Sequence, residues 1–483
     1  MSTAQQQVRH GFTYLLPVLI GNLAPVLTLP IFTRILTPAD YGAWALAMAY
    51  ATLLTALSNV GLTIVYERNY FEQKDAAGRA VLLNSLLAFV VSMLVAGGAA
   101  TWWFRSAIAR VVIGDAGFGA LVVWTYCAAA VTSVKAYYLI SFKNAQDASA
   151  YARCSIGETI LGTCASLVLV AWLQVGILGL VWGQLAASTT ITVVLATRFQ
   201  RAHPLTFDGA LLSSGLRMGV PLMPRLFVSV AGNQLDKYLI GVVSSVSFVG
   251  IFAIGQRIAN FAFAYMTALE NVFRPQVYKR MFDLGDAGGR EIGRYLTPFA
   301  YASVAVTLLV ALFSEEVLVV LTAPEFHGAA SIASLLAVSY GLLFFRKQPQ
   351  LLFRKATLTI SAFSTIAVLI NVAVSVPLIM AWGGLGAAAG VLVATLLAGV
   401  IHYVMSQRAY RIHYEAAPLA AVFGTLVLAG AISVALRELH IDYVVRVAVK
   451  LVCVAAYLGV GVKIGVITRS NLAMVRGAVW RGR

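Results

Sequence analysis

The sequence predicts an all-α polytopic membrane protein of about fourteen spans, arranged as two six-helix lobes with two further helices at the C-terminal end. Three observations predict it. Of 483 residues, 60% are hydrophobic and only 11% are charged, against roughly 25% charged in soluble domains. Apolar runs of about 20 residues, enough to cross a bilayer core of about 30 Å, follow one another along the whole chain. The two halves also resemble each other, in order, when slid by about 200–210 residues.

The runs fall near residues 12–33, 42–64, 79–101, 118–140, 153–173 and 177–197. After a polar break they resume near 216–243, 247–272, 294–314, 329–347, 358–381, 384–405, 415–437 and 444–466. The opening MSTAQQQVRH leads into the first run without a small-residue cleavage pattern, so that run is expected to be an uncleaved span. Cys127, Cys154, Cys164 and Cys453 lie in apolar stretches without ligand spacing and are expected to be small buried residues.

The net charge of +16 would suggest nucleic acid in a soluble protein. Here the loops explain it. With a cytoplasmic N-terminus, cytoplasmic loops hold about 25 of the 35 Lys and Arg, and external loops about 6. Arg274, Lys279, Arg280, Arg290 and Arg294 share one such loop, and Arg346, Lys347, Arg354 and Lys355 another. The loop near 315–328 is acidic, with Glu315, Glu316 and Glu325, and is expected outside. Both termini inside agrees with an even span count. The external loops are too short to form a globular catalytic domain.

The internal repeat sets the domains. WLQVGILGLVWGQLAAS (172–188) matches WGGLGAAAGVLVAT (382–395), with Gly179 and Gly183 falling on Gly386 and Gly390. LISFKNAQDASAY matches LLFRKATLTISAF, and Gly42 falls on Gly250. Spans 1–6 (residues 1–203) thus parallel spans 7–12 (204–407), and 408–483 form an appendix of two spans and a basic tail. An even number of spans per lobe makes the repeat parallel, with its axis along the membrane normal. Two such lobes are expected to enclose a central cleft and to rock about it, which favours a carrier over a channel or a synthase.

Charges within spans sharpen this expectation, since each costs at least about 2.5–3.5 kcal/mol at the bilayer centre and so faces protein or water. The stretch VPLMPRLFVSVAGNQLDKYLIG (220–241) carries Arg225, Asn233, Asp236 and Lys237. At about 100° per residue, Arg225 and Asp236 lie within roughly 20° of each other and about 16 Å apart along the axis. Pro221 and Pro224 permit a bend there. Arg257 and Asn260 share a face of the next span. Asn22 and Pro25 form the counterpart in span 1, and Lys135 and Glu158 lie in spans 4 and 5. Arg34 and Glu270 lie nearer helix ends. Two readings stay open. The charges can neutralise one another, Asp236 with Lys237 or Arg257 and Glu158 with Lys135. Alternatively the cations, which outnumber the carboxylates, can receive an anionic head group such as a phosphate or pyrophosphate.

No phosphate-binding loop of the Gly-x-x-x-x-Gly-Lys-Ser/Thr type is present, so transport is expected to draw on an ion gradient, the substrate gradient or the membrane potential. The six histidines (His10, His203, His327, His402, His413 and His440) are scattered and mostly in loops, and no metal site is expected.

LPIFTRILTPADYGAWALA (29–47) resembles the amino-terminal signature of the polysaccharide flippases, a helix ending in Thr-Arg followed by Leu-x-Pro-x-Asp-Tyr-Gly and a second helix. LDKYLIG and VGIFAIGQRI (235–258) are similar to the second-lobe pattern, with Phe252 where Tyr is frequent, and GILGL and GGLGA to the lobe endings. The likeness spans the chain and points to the multidrug/oligosaccharidyl-lipid/polysaccharide exporter superfamily. It implies a flippase, with no enzymatic activity, that moves undecaprenyl-pyrophosphate-linked oligosaccharide across the bacterial inner membrane for O-antigen or exopolysaccharide synthesis. Arg225, Arg257, Lys135, Lys237 and Arg34 are then expected to receive the head group. Asp236, Glu158, Asn22, Asn233 and Asn260 would orient it or serve coupling by a proton or sodium ion. The protein would act as a monomer without a cofactor. Its partners would be membrane lipids and the polymerase and chain-length proteins of the same pathway, not nucleic acid. A drug or cation antiporter of the same superfamily and a lipid II flippase are the alternatives.

Overall fold

The computed structural model describes residues 16–467, apart from 18, 348 and 355. Among the described residues all regular structure is helical. Residues 19–27 are helical and lead into α1 (Leu29–Phe32). Then come α2 (Pro38–Asn59), α3 (Leu62–Asn69), α4 (Ala76–Trp103), α5 (Arg105–Val112), α6 (Gly119–Asn144), α7 (Ala148–Leu167) and α8 (Ile177–Ala202). The chain continues through α9 (Gly209–Val243), α10 (Val246–Leu284), α11 (Gly289–Leu321), α12 (Ala329–Leu342) and the short α13 (Gln350–Phe353). It ends with α14 (Thr357–Ala409), α15 (Ala416–Glu438) and α16 (Tyr443–Lys463).

Ten stretches of the described residues are long and apolar enough to cross a membrane. Two of them hold two passes each. One joins α10 to α11; the other is α14, whose helix breaks at Trp382 and Gly383 (φ 54°, ψ −130°), where the sequence places an external turn. The α9 helix, 35 residues long, adds a further pass that its charges keep out of a purely apolar count. With residues 19–32 these passes reproduce the fourteen-span order.

The described residues fall into two compact units, one running through Ala253 with Leu321–Glu325 added, the other Ile254–Val320 with the chain from Phe326 onward. Compactness thus places α9 in the first unit, whereas the expected lobe limits at 203 and 407 come from the repeat, a different criterion.

Aspartates start many of the helices. Thr37 and Asp40 form a reciprocal capping box at α2, with Pro38 at the first turn. The carboxylate of Asp75 accepts from Gly78 N at 2.9 Å, Asp147 from Ala150 N at 2.9 Å, Asp208 from Ala210 N at 2.7 Å and Asp442 from Val444 N at 2.9 Å. Asp115 does the same for Gly117 N at 2.8 Å before α6. Each cap satisfies an amide that the helix leaves orphaned, worth about 1 kcal/mol.

Glycine sets the closest approaches in the first unit. A Cβ on Gly42 would lie 1.8 Å from the Val246 carbonyl oxygen, and one on Gly250 would lie 1.9 Å from that of Pro38. The start of α2 and the start of α10 therefore meet backbone to backbone. The core beneath α2 and α4 is aliphatic and aromatic, with Leu62, Val65, Leu82, Leu83, Leu86 and Val90 fully buried. The repeated glycines also recur in use. In the hairpin of α7 and α8, a Cβ on Gly183 would meet Ser166 Oγ at 2.3 Å. In the hairpin made by the two arms of α14, one on Gly390 would meet Ser375 Oγ at 2.4 Å. The sequence match thus reflects the same small-residue seam built twice.

In the second unit the last helix is fastened to α11. Tyr301 and Tyr457 stack with ring centroids 4.6 Å apart, and the Tyr457 hydroxyl donates to Tyr301 O at 2.5 Å. Lys450, 1% exposed, donates to Glu315 at 2.8 Å and to Glu316 at 2.7 Å, and Arg446 reaches Glu315 at 3.1 Å. The sequence reading places Glu315 and Glu316 in an acidic external loop, and the structure corrects the loop to a helix end. They stand in the last turns of α11, because α16 brings cations that a span cannot leave unpaired. Replacing Lys450 by Met is expected to destabilise the purified protein by about 3–5 kcal/mol, the usual cost of removing one partner from a buried pair. A lowered midpoint in a detergent thermal-unfolding assay checks this, and an unchanged midpoint would contradict it.

The cysteines also differ from expectation. Cys164 is exposed, and Cys127, Cys154 and Cys453 are half-buried and free. A thiol on the outer face of a span meets hydrocarbon and needs no burial within protein.

Candidate functional site

The first unit contains most of the polar groups expected to act. Lys135 on α6 and Glu158 on α7 are 4% and 9% exposed. The Lys135 ammonium donates to Glu158 Oε1, as does the Ser188 hydroxyl from α8. Thr132 Oγ1 lies 3.3 Å from Ser188 Oγ. Of the two readings open to Lys135, the structure takes the pairing with Glu158. Three neighbouring helices are tied by this network, and Lys135 leaves the count of cations available to a ligand. Full satisfaction matters because an ammonium or carboxylate stranded there would cost several kcal/mol.

The α9 helix carries the rest. Asp208 caps its start, and it runs through Pro221 and Pro224 without interruption. One face is anchored by small residues. A Cβ on Gly219 would sit 2.6 Å from the Val60 carbonyl oxygen, and one on Gly215 would sit 2.8 Å from Leu86 Cδ2. Gly61, at φ 73°, supplies the turn that lets the α2–α3 junction come so close. Arg225 is turned well away from Gly219, by about 120°. It is exposed, as is Asn233, while Asp236 and Lys237 are half-buried. Lys237 Nζ approaches Gln234 Oε1 at 3.4 Å. Both Asp236 and Lys237 are engaged by neighbouring groups. Arg225, by contrast, has no carboxylate partner among the described residues. Its depth makes that informative. Counted from residue 216, where the apolar run begins, it lies about 14 Å into the span, close to the middle of a 30 Å core. An exposed guanidinium at that depth faces water or a polar ligand rather than acyl chains.

Arg34 is exposed, and its Nη1 donates to Pro30 O at 2.8 Å, so it caps the end of α1. Asn22 is half-buried and engaged by a neighbouring group. In the second unit, Arg257 and Asn260 are half-buried on α10, and Arg257 is engaged by a neighbouring group. Phe252, in the position where the resembled pattern often has Tyr, is fully buried.

A cationic group in the second unit escaped the sequence reading. Glu270 on α10 is 5% exposed and bridges Arg274 to Lys347, the latter at 2.6 Å. Lys347 belongs to the turn Leu343–Lys347 after α12 and lies 5.2 Å from the Phe263 ring centroid. The sequence placed Glu270 near a helix end and Arg346 and Lys347 in a loop. The signal available was the i, i+4 pair Glu270–Arg274 inside an apolar run. Among the described residues there is no cluster of three or more His, Cys, Asp or Glu that could hold a metal ion.

Comparison with known proteins now adds to this geometry. The profile of a family described as "Polysaccharide biosynthesis protein" matches residues 31–283. A search of curated protein sequences gives no match. Among solved structures, the chain is similar to the lipid II flippase MurJ in an inward closed conformation, with a TM-score of 0.70 at 11% identity over 95% of this chain and 100% of that one. It is also similar to the MATE multidrug transporter DinF-BH, with a TM-score of 0.60 at 13% identity over 84% of this chain and 96% of that one. The Vibrio cholerae MATE transporter VcmN gives a TM-score of 0.57 at 14% identity, over 85% of this chain and 98% of that one. At such identities the likeness establishes the fold. With more than half of its length matched by the family profile, the chain belongs to the polysaccharide biosynthesis protein family, and its multi-pass helical fold is the one seen in MurJ and the MATE transporters.

Proposed function

We propose that this protein flips a lipid-linked oligosaccharide, undecaprenyl pyrophosphate carrying an O-antigen or exopolysaccharide repeat unit, across the bacterial inner membrane with both termini in the cytoplasm. The observation that carries the reading is Arg225. It is an exposed guanidinium deep in a span, on a proline-containing helix, without a carboxylate partner among the described residues. A planar fork of donors suits a pyrophosphate, which accepts two parallel hydrogen bonds per phosphoryl group. Membership of a polysaccharide biosynthesis family supports a saccharide cargo, and the lipid keeps that cargo in reach of a membrane-embedded site.

Asn233 and Asp236 lie on the adjoining part of the same helix and supply neutral and acidic contacts suited to sugar hydroxyls. Lys135 and Glu158, closed on each other, serve the scaffold in this reading. Replacing Arg225 by Ala is expected to lower surface glycan at least about tenfold, the loss of one charge-assisted hydrogen-bond set, with Lys in its place restoring only part. Surface glycan blotted in a strain lacking the native copy, at matched membrane levels of protein, checks this. Unchanged glycan at equal expression would overturn the role of Arg225, and a growth defect without glycan loss would point to a cell-wall precursor instead.

A further inference from the structure

We propose that the second unit contains a separate oxyanion site, for a phosphate or diphosphate group, formed by Arg346 with His402 and flanked by Arg274 and Lys347. It goes beyond the transport reading and does not depend on it.

Arg346 lies in the turn Leu343–Lys347 that ends the α12 pass. Lys347, its neighbour, turns to α10 and meets Glu270. Arg346 turns instead to α14. Its guanidinium lies 5.2 Å from the Phe363 ring centroid, and the His402 ring lies 4.9 Å from the same ring. Phe363 and His402 belong to the two arms of α14, each about 10 Å in from the end of its arm. His402 is 8% exposed, and its Nδ1 lies 3.3 Å from the Ser406 hydroxyl. A Ser406 hydroxyl donating to Nδ1 leaves Nε2–H as a free donor.

The charge count makes the site. Near the turn stand Arg274, Arg346 and Lys347, against Glu270. Both oxygens of Glu270 are already taken, Oε1 by Arg274 and Oε2 by Lys347. Arg346 has no carboxylate or hydrogen-bond partner among the described residues, and its guanidinium lies beside an aromatic ring. Arg274 Nε is itself buried with no partner among the described residues. Two positive charges therefore remain without a carboxylate among the described residues, one of them on the half-buried Arg346. A balanced structural network would have supplied a second carboxylate, as the second unit does for Lys450 with Glu315 and Glu316. An oxyanion completes the balance here. The guanidinium offers a fork to two of its oxygens, and the imidazole N–H serves a third.

A phosphate group can come from a lipid head group or from a free anion, and the test separates the two. Full-length protein is placed in nanodiscs of neutral phosphatidylcholine, and inorganic pyrophosphate is titrated by calorimetry. In parallel, native mass spectrometry scores retention of phosphatidylglycerol from mixed nanodiscs. Wild type is compared with Arg346→Gln, with Arg346→Lys, and with Lys74→Ala as an exposed control. Pyrophosphate binding that weakens at least tenfold in Arg346→Gln supports the site with a free ligand. Phosphatidylglycerol retention lost in Arg346→Gln, without pyrophosphate binding, supports it with a lipid ligand. Equal binding by wild type and Arg346→Gln, or binding of neither probe by wild type, overturns it. A shared thermal midpoint among the variants shows that folding does not account for the difference. Surface glycan is scored separately, so failure of this site leaves the reading of Arg225 standing.

Discussion

Replacing Gly42 by Val is expected to abolish accumulation of the protein in the membrane, and Gly250→Val is expected to do the same. At Gly42 even the first carbon of a side chain would stand 1.8 Å from the Val246 carbonyl oxygen, and at Gly250 1.9 Å from that of Pro38. These obstacles are backbone atoms, which cannot rotate aside as a side chain can. Relief demands that α2 and the start of α10 separate, exposing the packed surface around Tyr41 and Val249, both fully buried. Overpacking of this kind costs about 1–3 kcal/mol where side chains can yield, and more where they cannot. Gly399→Val offers the contrast, since nothing lies within 4 Å of a Cβ there. Immunoblots of membrane fractions check the set. Normal levels of Gly42→Val, or equal losses for Gly399→Val, would contradict the close approach.

Replacing Glu158 by Leu is expected to destabilise the first unit by about 3–5 kcal/mol, because it strands the Lys135 ammonium among three helices. The double variant Lys135→Met with Glu158→Leu is expected to recover most of that loss, since two apolar side chains of similar volume can fill the space the pair occupied. Unfolding midpoints in detergent, arranged as a double-mutant cycle, measure the coupling. Transport then separates structure from mechanism. If the double variant regains stability and also supports surface glycan, the pair holds helices together and carries no coupling proton. A double variant that is stable yet inactive would assign Glu158 to the transport cycle.

Much of the fold was legible because lipid imposes one rule on every span, a run of about 20 apolar residues. Even the break inside α14 was marked, by the Trp-Gly-Gly at 382–384. The repeat was legible for a related reason. Gly183 and Gly390 each meet a serine of the neighbouring pass, and no other residue type lets the backbones come so close. Pairing was legible only in part: Lys135 with Glu158 was one of two open readings, and Lys450 with Glu315 was not foreseen. Lys135 and Glu158 are 23 positions apart in sequence, and Lys450 and Glu315 are 135 apart. A charge count along the chain cannot tell which cations are spent on such partners. It therefore leaves Lys135 open between Glu158 and a ligand, and it places Arg346 in a loop and Lys450 in no pair. Arg225 remains the residue on which the proposed site rests, because its depth follows from its place along the helix.

The aspartate caps carry a consequence for biogenesis. By alternation of the passes, Asp40, Asp115 and Asp442 start helices on one side of the membrane, and Asp75, Asp147 and Asp208 start helices on the other. Each is drawn onto the positive end of a helix dipole and spends its charge there. These capping carboxylates are thus split three and three between the two sides and absorbed locally. The translocation machinery meets an electrostatic asymmetry written almost entirely in lysine and arginine. The polarity of insertion and the starting points of the helices are encoded by different residues, so either can change in evolution without disturbing the other.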